Sequence, residues 1–217
     1  MYTFFIIRRI KVDKDIDYIV FDLGGVLVEL TGVPTVLGWM NNRVKEDEMW
    51  RMWLLSPAIR NFESGKISKE EFASSIIQEF EFQVDEEKFI EEFILFPKGF
   101  YPGAEELLAA LKDRFSLACL SNTNELHWNR LCVESEVEKL FQYNFLSHKT
   151  GFMKPDKEAF LHVINELKTD PERILFFDDN QMNVDAALSF GIKAVRVKGF
   201  SELKRTLQEV GIVMEET

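Results

Sequence analysis

Short, mostly apolar runs recur along the chain, and each gives way to a polar residue. Tyr18-Ile19-Val20-Phe21 stops at Asp22 and a pair of glycines, the run 115–120 stops at Ser121-Asn122, and the run 173–177 stops at Asp178-Asp179. The run 193–197 and a weaker one at 143–146, which ends on Ser147, belong to the same set. Runs this short and this apolar predict strands covered on both faces, as in the middle of a parallel sheet. Between them, apolar residues fall at helical spacing. Leu107, Leu108 and Leu111 mark 104–112, and Phe160, Val163, Ile164 and Leu167 mark 157–167. A short alanine-rich stretch at 184–190 and a last one at 201–210 complete the series. Strand alternating with helix predicts an α/β fold with a doubly wound, Rossmann-like parallel sheet. Such sheets bind ligands beyond the carboxyl ends of their strands, where Asp22, Ser121, Asp178 and Asp179 fall.

The region from Leu30 to Pro97 breaks this rhythm. It has no good strand run and several amphipathic stretches, at 33–40, 46–55, 68–80 and 85–96. Ser68 followed by Glu71 reads as a capping box at a helix start. The expectation is an all-helical subdomain at 30–97 inserted into a core formed by 17–29 and 98–217. Residues 1–16 stand as an N-terminal extension that is a strand, a tail or the product of a misplaced start codon. The insertion is rich in large aromatics, including Trp39, Trp50, Trp53, Phe72, Phe80, Phe89, Phe93 and Phe96, whose expected role is packing in a small unit.

Composition narrows the partners. A net charge of −11, from 37 acidic and 26 basic residues, argues against a nucleic acid or an anionic membrane as a general partner. It leaves room for a small anion met by local positive charge. Cys119 and Cys132 are too few for a disulfide framework. The apolar start Phe4-Phe5-Ile6-Ile7 is cut short by Arg8-Arg9, well below the length of a signal core or a membrane span. The default location is therefore cytoplasmic. His127, His148 and His162 lack metal-ligand spacing.

Four features carry candidate chemistry, and each has a plainer alternative. Asp22 ends a strand before Gly24-Gly25, which permits a tight turn and a close backbone approach; a strand-ending Asp is also a common turn residue. Ser121-Asn122-Thr123-Asn124 gathers a hydroxyl and backbone N–H groups where an anion could bind, or simply caps a helix. Lys154 precedes Pro155, which stiffens the turn that holds it; most lysines are surface residues. Asp178-Asp179 puts two carboxylates at one strand end, where a hard cation such as Mg²⁺ would relieve their repulsion and an acidic turn is the equal alternative.

Taken in order, Asp22-Leu23-Gly24-Gly25-Val26-Leu27, Leu120-Ser121-Asn122-Thr123-Asn124, Lys154-Pro155 and Phe176-Phe177-Asp178-Asp179-Asn180 resemble the haloacid dehalogenase-like hydrolase superfamily. They look most like its bacterial sugar-phosphatase branch, which includes an α-D-glucose-1-phosphate phosphatase. The resemblance implies that the helical insertion is a cap and that the chain hydrolyses a small phosphorylated metabolite. Asp22 would be the nucleophile that forms an aspartyl-phosphate. Ser121 and the Asn122 backbone would hold the phosphoryl group, and Lys154 would balance its charge. Mg²⁺ would be held by Asp22, the Gly24 carbonyl, Asp178 and Asp179. In this family a cap loop such as the one bearing Arg60, Asn61, Glu63 and Lys66 can face the site and select the leaving group; the alternative is a solvated connection. Monomer and homodimer are both compatible.

Position 24 departs from the pattern. Most phosphatases of the superfamily have a second Asp there as general acid and base, and a backbone carbonyl cannot move a proton. Glu29 or Glu63 are the candidates to replace it. Two other readings stay open: a weakly catalytic relative that binds or regulates, and a metal-independent 2-haloacid dehalogenase, which the Asp178-Asp179 pair opposes.

Overall fold

The structure, a computed structural model, describes residues 16–212. The expected N-terminal extension, apart from Ile16, lies outside the described residues. Five parallel strands form the main sheet in the order β5-β4-β1-β6-β7. They are β1 (Tyr18–Phe21), β4 (Ser116–Ser121), β5 (Tyr143–Leu146), β6 (Ile174–Asp178) and β7 (Lys193–Arg196). Alternate residues feed two apolar cores, one on each face. Ile19, Phe21, Leu117, Cys119, Leu175 and Phe177 bury on one side, and Val20, Ala118, Leu120, Ile174 and Phe176 on the other. A strand that must bury both faces has few polar positions to spare, which is why these segments read as largely apolar runs, with polar residues such as Ser116, Asn144, Lys193 and Arg196 at partly buried positions.

Register sets the site. Phe21 lies beside Cys119 of β4 and Phe177 of β6. The chain leaves all three strands at one level, and the Asp22 N–H donates to the Phe177 carbonyl at 2.8 Å. On the core side, α6 (Ala104–Lys112), α7 (Glu125–Ser135), α9 (Lys157–Leu167), α10 (Gln181–Ser189) and α11 (Gly199–Glu209) flank the sheet, and α8 (Ser147–Thr150) is a single turn after β5.

Between β1 and α6 the chain forms a two-stranded antiparallel ribbon, β2 (Val28–Leu30) with β3 (Pro97–Phe100), that brackets five helices. These are α1 (Val33–Trp39), α2 (Glu46–Leu55), α3 (Pro57–Glu63), α4 (Lys69–Phe80) and α5 (Glu86–Phe93). They have an apolar core of their own, built from Trp39, Phe62, Phe72, Phe80, Phe89 and Phe93, with Phe62 stacked on Phe72 at 4.3 Å between ring centroids. The capping box of α4 is complete, with the Ser68 side chain accepting from the Glu71 N–H and Glu71 accepting from the Ser68 N–H. Ser56 caps α3 and also donates to Glu79 of α4 at 2.8 Å. The core helix α7 clamps the return linker: His127 Nε2 meets the Phe93 carbonyl at 2.8 Å, and Arg130 donates to the carbonyls of Ile94 and Pro97.

The ribbon and α3 have no clear counterpart in the hydrophobic pattern. Each strand of the ribbon has three or four residues, and β3 contains a proline and a glycine. Helix α10 begins three residues before the expected 184, because Asn180 caps it by accepting from the Met182 N–H. Among the described residues no helix is long and apolar enough to cross a membrane.

Candidate active site

Asp22, Lys154, Asp178 and Asp179 converge at the carboxyl ends of β1 and β6. Lys154 Nζ lies 2.9 Å from Asp22 Oδ1 and 2.6 Å from Asp178 Oδ2. The lysine is only 4% exposed and Asp178 is fully buried, so this is a desolvated ion cluster rather than a surface pair. Two flanking carboxylates hold the Lys154 pKa above its usual range despite burial. The surface-lysine alternative for Lys154 is thereby excluded.

The lysine is held at its backbone as well. The Asn122 side chain donates to the Lys154 carbonyl at 2.9 Å and accepts from the Lys154 N–H at 2.9 Å. The peptide bond to Pro155 is cis. A residue expected to act through its own backbone thus also uses its side chain to tie the end of β4 to the lysine loop. Ser121 is buried at the end of β4. The Thr123 N–H is taken by Ser147 Oγ at 2.9 Å, and Asn124 caps α7. Of the expected anion-binding run, Thr123 and Asn124 therefore serve structure.

Asp178 is the most heavily bonded carboxylate. Besides Lys154 it accepts from the Asn180 N–H at 2.8 Å and from Asn183 Nδ2 at 3.0 and 3.1 Å. Asn183 orients the site and was not among the expected site residues. Its only signal was its place in the first turn of the helix that follows the acidic pair. Asp185 points elsewhere, to Gln181.

Carboxylate oxygens of Asp22, Asp178 and Asp179 all lie within 4.8 Å of one another, a set that could hold a metal ion. Burial raises the pKa of Asp22; Lys154 opposes the rise, and Asp178 and Asp179 add to it. Burial and then Asp178 raise that of Asp179. Three crowded carboxylates against one lysine form an all-oxygen, electron-rich set that suits a hard cation. Gly25 makes the approach of Asp179 possible: it sits at φ +72°, and a Cβ there would come within 2.7 Å of Asp179 Oδ2. At position 24 a Cβ would point at Leu30 Cδ1, 3.1 Å away.

The helical insertion reaches this cluster through α3. Arg60 pairs with Asp156, two residues beyond Lys154. Gly65, at φ +70°, lies so close to the His148 carbonyl that a Cβ would come within 2.3 Å of it. Glu63 lies between these anchors, partly shielded, and feels the charges of Asp22 and Lys154. Glu29 instead pairs with Lys98 across the ribbon at 2.8 Å. Asn61 is half-buried and Lys66 exposed.

A parallel sheet with a buried lysine and clustered carboxylates at its strand ends defines an enzyme of the doubly wound α/β class. The chain belongs to the haloacid dehalogenase-like hydrolase family, whose model matches residues 16–191. It is 25% identical over 185 residues to flavin mononucleotide hydrolase 1 of Arabidopsis thaliana, covering 83% of this chain and 70% of that protein. It is 30% identical over 95 residues to a phosphorylated carbohydrates phosphatase of Thermotoga maritima, covering 43% of this chain and 44% of that one. Among solved structures, a family enzyme of Bacteroides thetaiotaomicron in complex with magnesium and inorganic phosphate superposes with a TM-score of 0.71 at 25% identity. That match covers 84% of this chain and 94% of the other.

Proposed function

We propose that the protein is a Mg²⁺-dependent phosphomonoester hydrolase that acts on a small phosphorylated metabolite, a sugar phosphate in first place, through an aspartyl-phosphate on Asp22. The observation that carries this reading is the Asp22 carboxylate held at a strand end against a buried lysine and beside two further carboxylates. The phosphatase and hydrolase names of two relatives and the magnesium–phosphate complex of a third support it.

An Asp22 oxygen attacks the phosphorus and displaces the ester oxygen; water then attacks the phosphorus of the acyl phosphate and frees phosphate and Asp22. Lys154 balances charge on the nucleophile and the transferring group in a dry site, where such balance is most effective. Ser121 and the Asn122 backbone hold the phosphoryl oxygens, while the Asn122 side chain fixes Lys154. Asp22, the Gly24 carbonyl, Asp178 and Asp179 would hold Mg²⁺, which supplies positive charge for the phosphoryl oxygens. The insertion acts as a cap over the strand ends. The setting is cytoplasmic, in keeping with the free Cys119 and Cys132, and the protein works as a monomer or homodimer without nucleic acid or membrane.

Phosphate release from p-nitrophenyl phosphate and a panel of sugar phosphates, with Mg²⁺ and then with chelator, tests the proposal. Release that needs the metal and disappears in Asp22→Asn is the expected result. Halide release from 2-haloacids without metal would establish the dehalogenase reading instead, and inertness to every ester would favour the binding protein.

A further inference from the structure

We propose that Glu63 is the proton-transferring group of this site, protonating the leaving oxygen in the first half-reaction and deprotonating the attacking water in the second. The inference rests on the phosphatase reading. An ester oxygen that leaves as an alkoxide is a poor leaving group, so some acid must meet it. The residue two beyond Asp22 is Gly24, and the Leu30 side chain stands where a side chain at 24 would point. Within the cluster, Lys154 and Asp178 are bonded to each other, Asp22 is bonded to the same lysine, and Asp179 completes the carboxylate set that would hold Mg²⁺. Glu29 is engaged by Lys98 on the ribbon.

Glu63 remains, and its placement is built. It ends α3, whose Ser56 N-cap and Pro57 fix the start of the helix. The segment is pinned to the core on both sides of Glu63, by Arg60 on Asp156 before it and by Gly65 against the His148 carbonyl after it. Next to Glu63, Ser64 is buried and donates to the Asn61 carbonyl, which closes the turn. The core charges that act on Glu63 are Asp22 and Lys154, and on its own segment its charged neighbours are Arg60, paired with Asp156, and Lys66. The histidine beside the turn, His148, has its pKa lowered by burial and by Lys149 and is neutral near pH 7. Burial and the Asp22 charge push the Glu63 pKa up to about 7, so both of its forms are populated near neutrality. A group that gives a proton and then takes one needs that balance.

The step balances. As the Asp22 oxygen bonds to phosphorus, the phosphorus–ester bond breaks, its electron pair moves to the leaving oxygen, and the Glu63 proton completes the alcohol. Water oxygen then bonds to phosphorus, its proton passes to the Glu63 carboxylate, and the pair of the phosphorus–Asp22 bond returns to Asp22.

The test compares wild type, Glu63→Gln and Glu63→Asp with Mg²⁺ on an aryl ester, p-nitrophenyl phosphate, and an alkyl ester, glycerol phosphate. In Glu63→Gln the alkyl ester should turn over about 10²–10⁴-fold more slowly. The aryl ester, whose leaving group needs no proton, should give a burst near one equivalent of nitrophenolate, then slow turnover with phosphoenzyme trapped on acid quench. Glu63→Asp, which keeps the acid but withdraws it by one methylene, should recover part of the alkyl rate, and Glu63→Gln, which no longer has a carboxylate to desolvate, should melt at or above the wild type at pH 7. An active wild type with Glu63→Gln equally active on both esters would overturn this inference alone, as would a proportionate loss on both esters without a burst. A wild type inert to both esters would overturn the phosphatase reading and this inference with it.

Discussion

Lys154 sits between Asp22 and Asp178 with almost no access to water, so removing its charge affects both chemistry and stability. Lys154→Met should lower kcat for phosphate release by about 10²–10³-fold, the usual effect of deleting one preorganised electrostatic donor. It should also cost about 3 kcal/mol, read as a shift in the urea midpoint at pH 7. That lies at the low end for a broken buried pair, because Asp178 keeps Asn183 and the Asn180 N–H. Gly25→Ala forces a Cβ into a left-handed backbone and onto Asp179. It should destabilise the fold by roughly 1–2 kcal/mol and weaken Mg²⁺ binding in a calorimetric titration. The positions of Asp22, Lys154, Asp178 and Asp179 were legible because each lies beside an apolar run or a proline. The Asn122 bridge and Asn183 were not, since a side-chain amide looks the same in sequence whether it caps a helix or ties two loops.

The clamp of α7 on α5 makes one element pH-sensitive. His127 is buried, stacks against Phe93 at 4.3 Å between ring centroids, and bonds through both ring nitrogens, to Asn124 and to the Phe93 carbonyl. Burial lowers its pKa to about 4 from the ordinary 6.5. The unfolded chain therefore binds the proton more readily between those values. The stabilisation is complete above pH 6.5 and is lost as pH falls toward 4. Glu63, raised to about 7 from 4.5, acts with the opposite sign, since its folded form holds a proton that the unfolded form has released. The contribution of His127 is thus read as the difference between wild type and His127→Gln: the gap in urea midpoint should narrow on going from pH 7 to pH 4.5. At this scale the long helices and the sheet strands follow from periodicity. The ribbon of β2 and β3 does not, because three or four residues with Pro97 and Gly99 carry no alternation. Helix α3, which brings Glu63 to the site, is seven residues long and too short to show a period.

For the molecule as a whole, the two apolar cores around the sheet and the third within the insertion make the strand ends the place where charge collects. Order along the chain was readable because a parallel sheet forces each crossover to return the next strand end to the same edge. What the order does not give is distance: that Arg60 and Gly65 fasten α3 to the core follows only from the packed structure. If the carboxylate cluster holds a cation, Mg²⁺ at a hundred times its Kd should stabilise the fold by about 2.7 kcal/mol, roughly 5–10 °C in Tm. Asp179→Asn should remove most of that shift. The central claim is covalent chemistry at Asp22, and the direct measurement is peptide mapping by mass spectrometry of protein quenched in acid during turnover of a phosphate ester with Mg²⁺. The account predicts one phosphoryl group on the peptide bearing Asp22, enriched in Glu63→Gln and absent in Asp22→Asn. Phosphate release by an enzyme that never carries phosphoryl on Asp22, or that carries it on another residue, would contradict it.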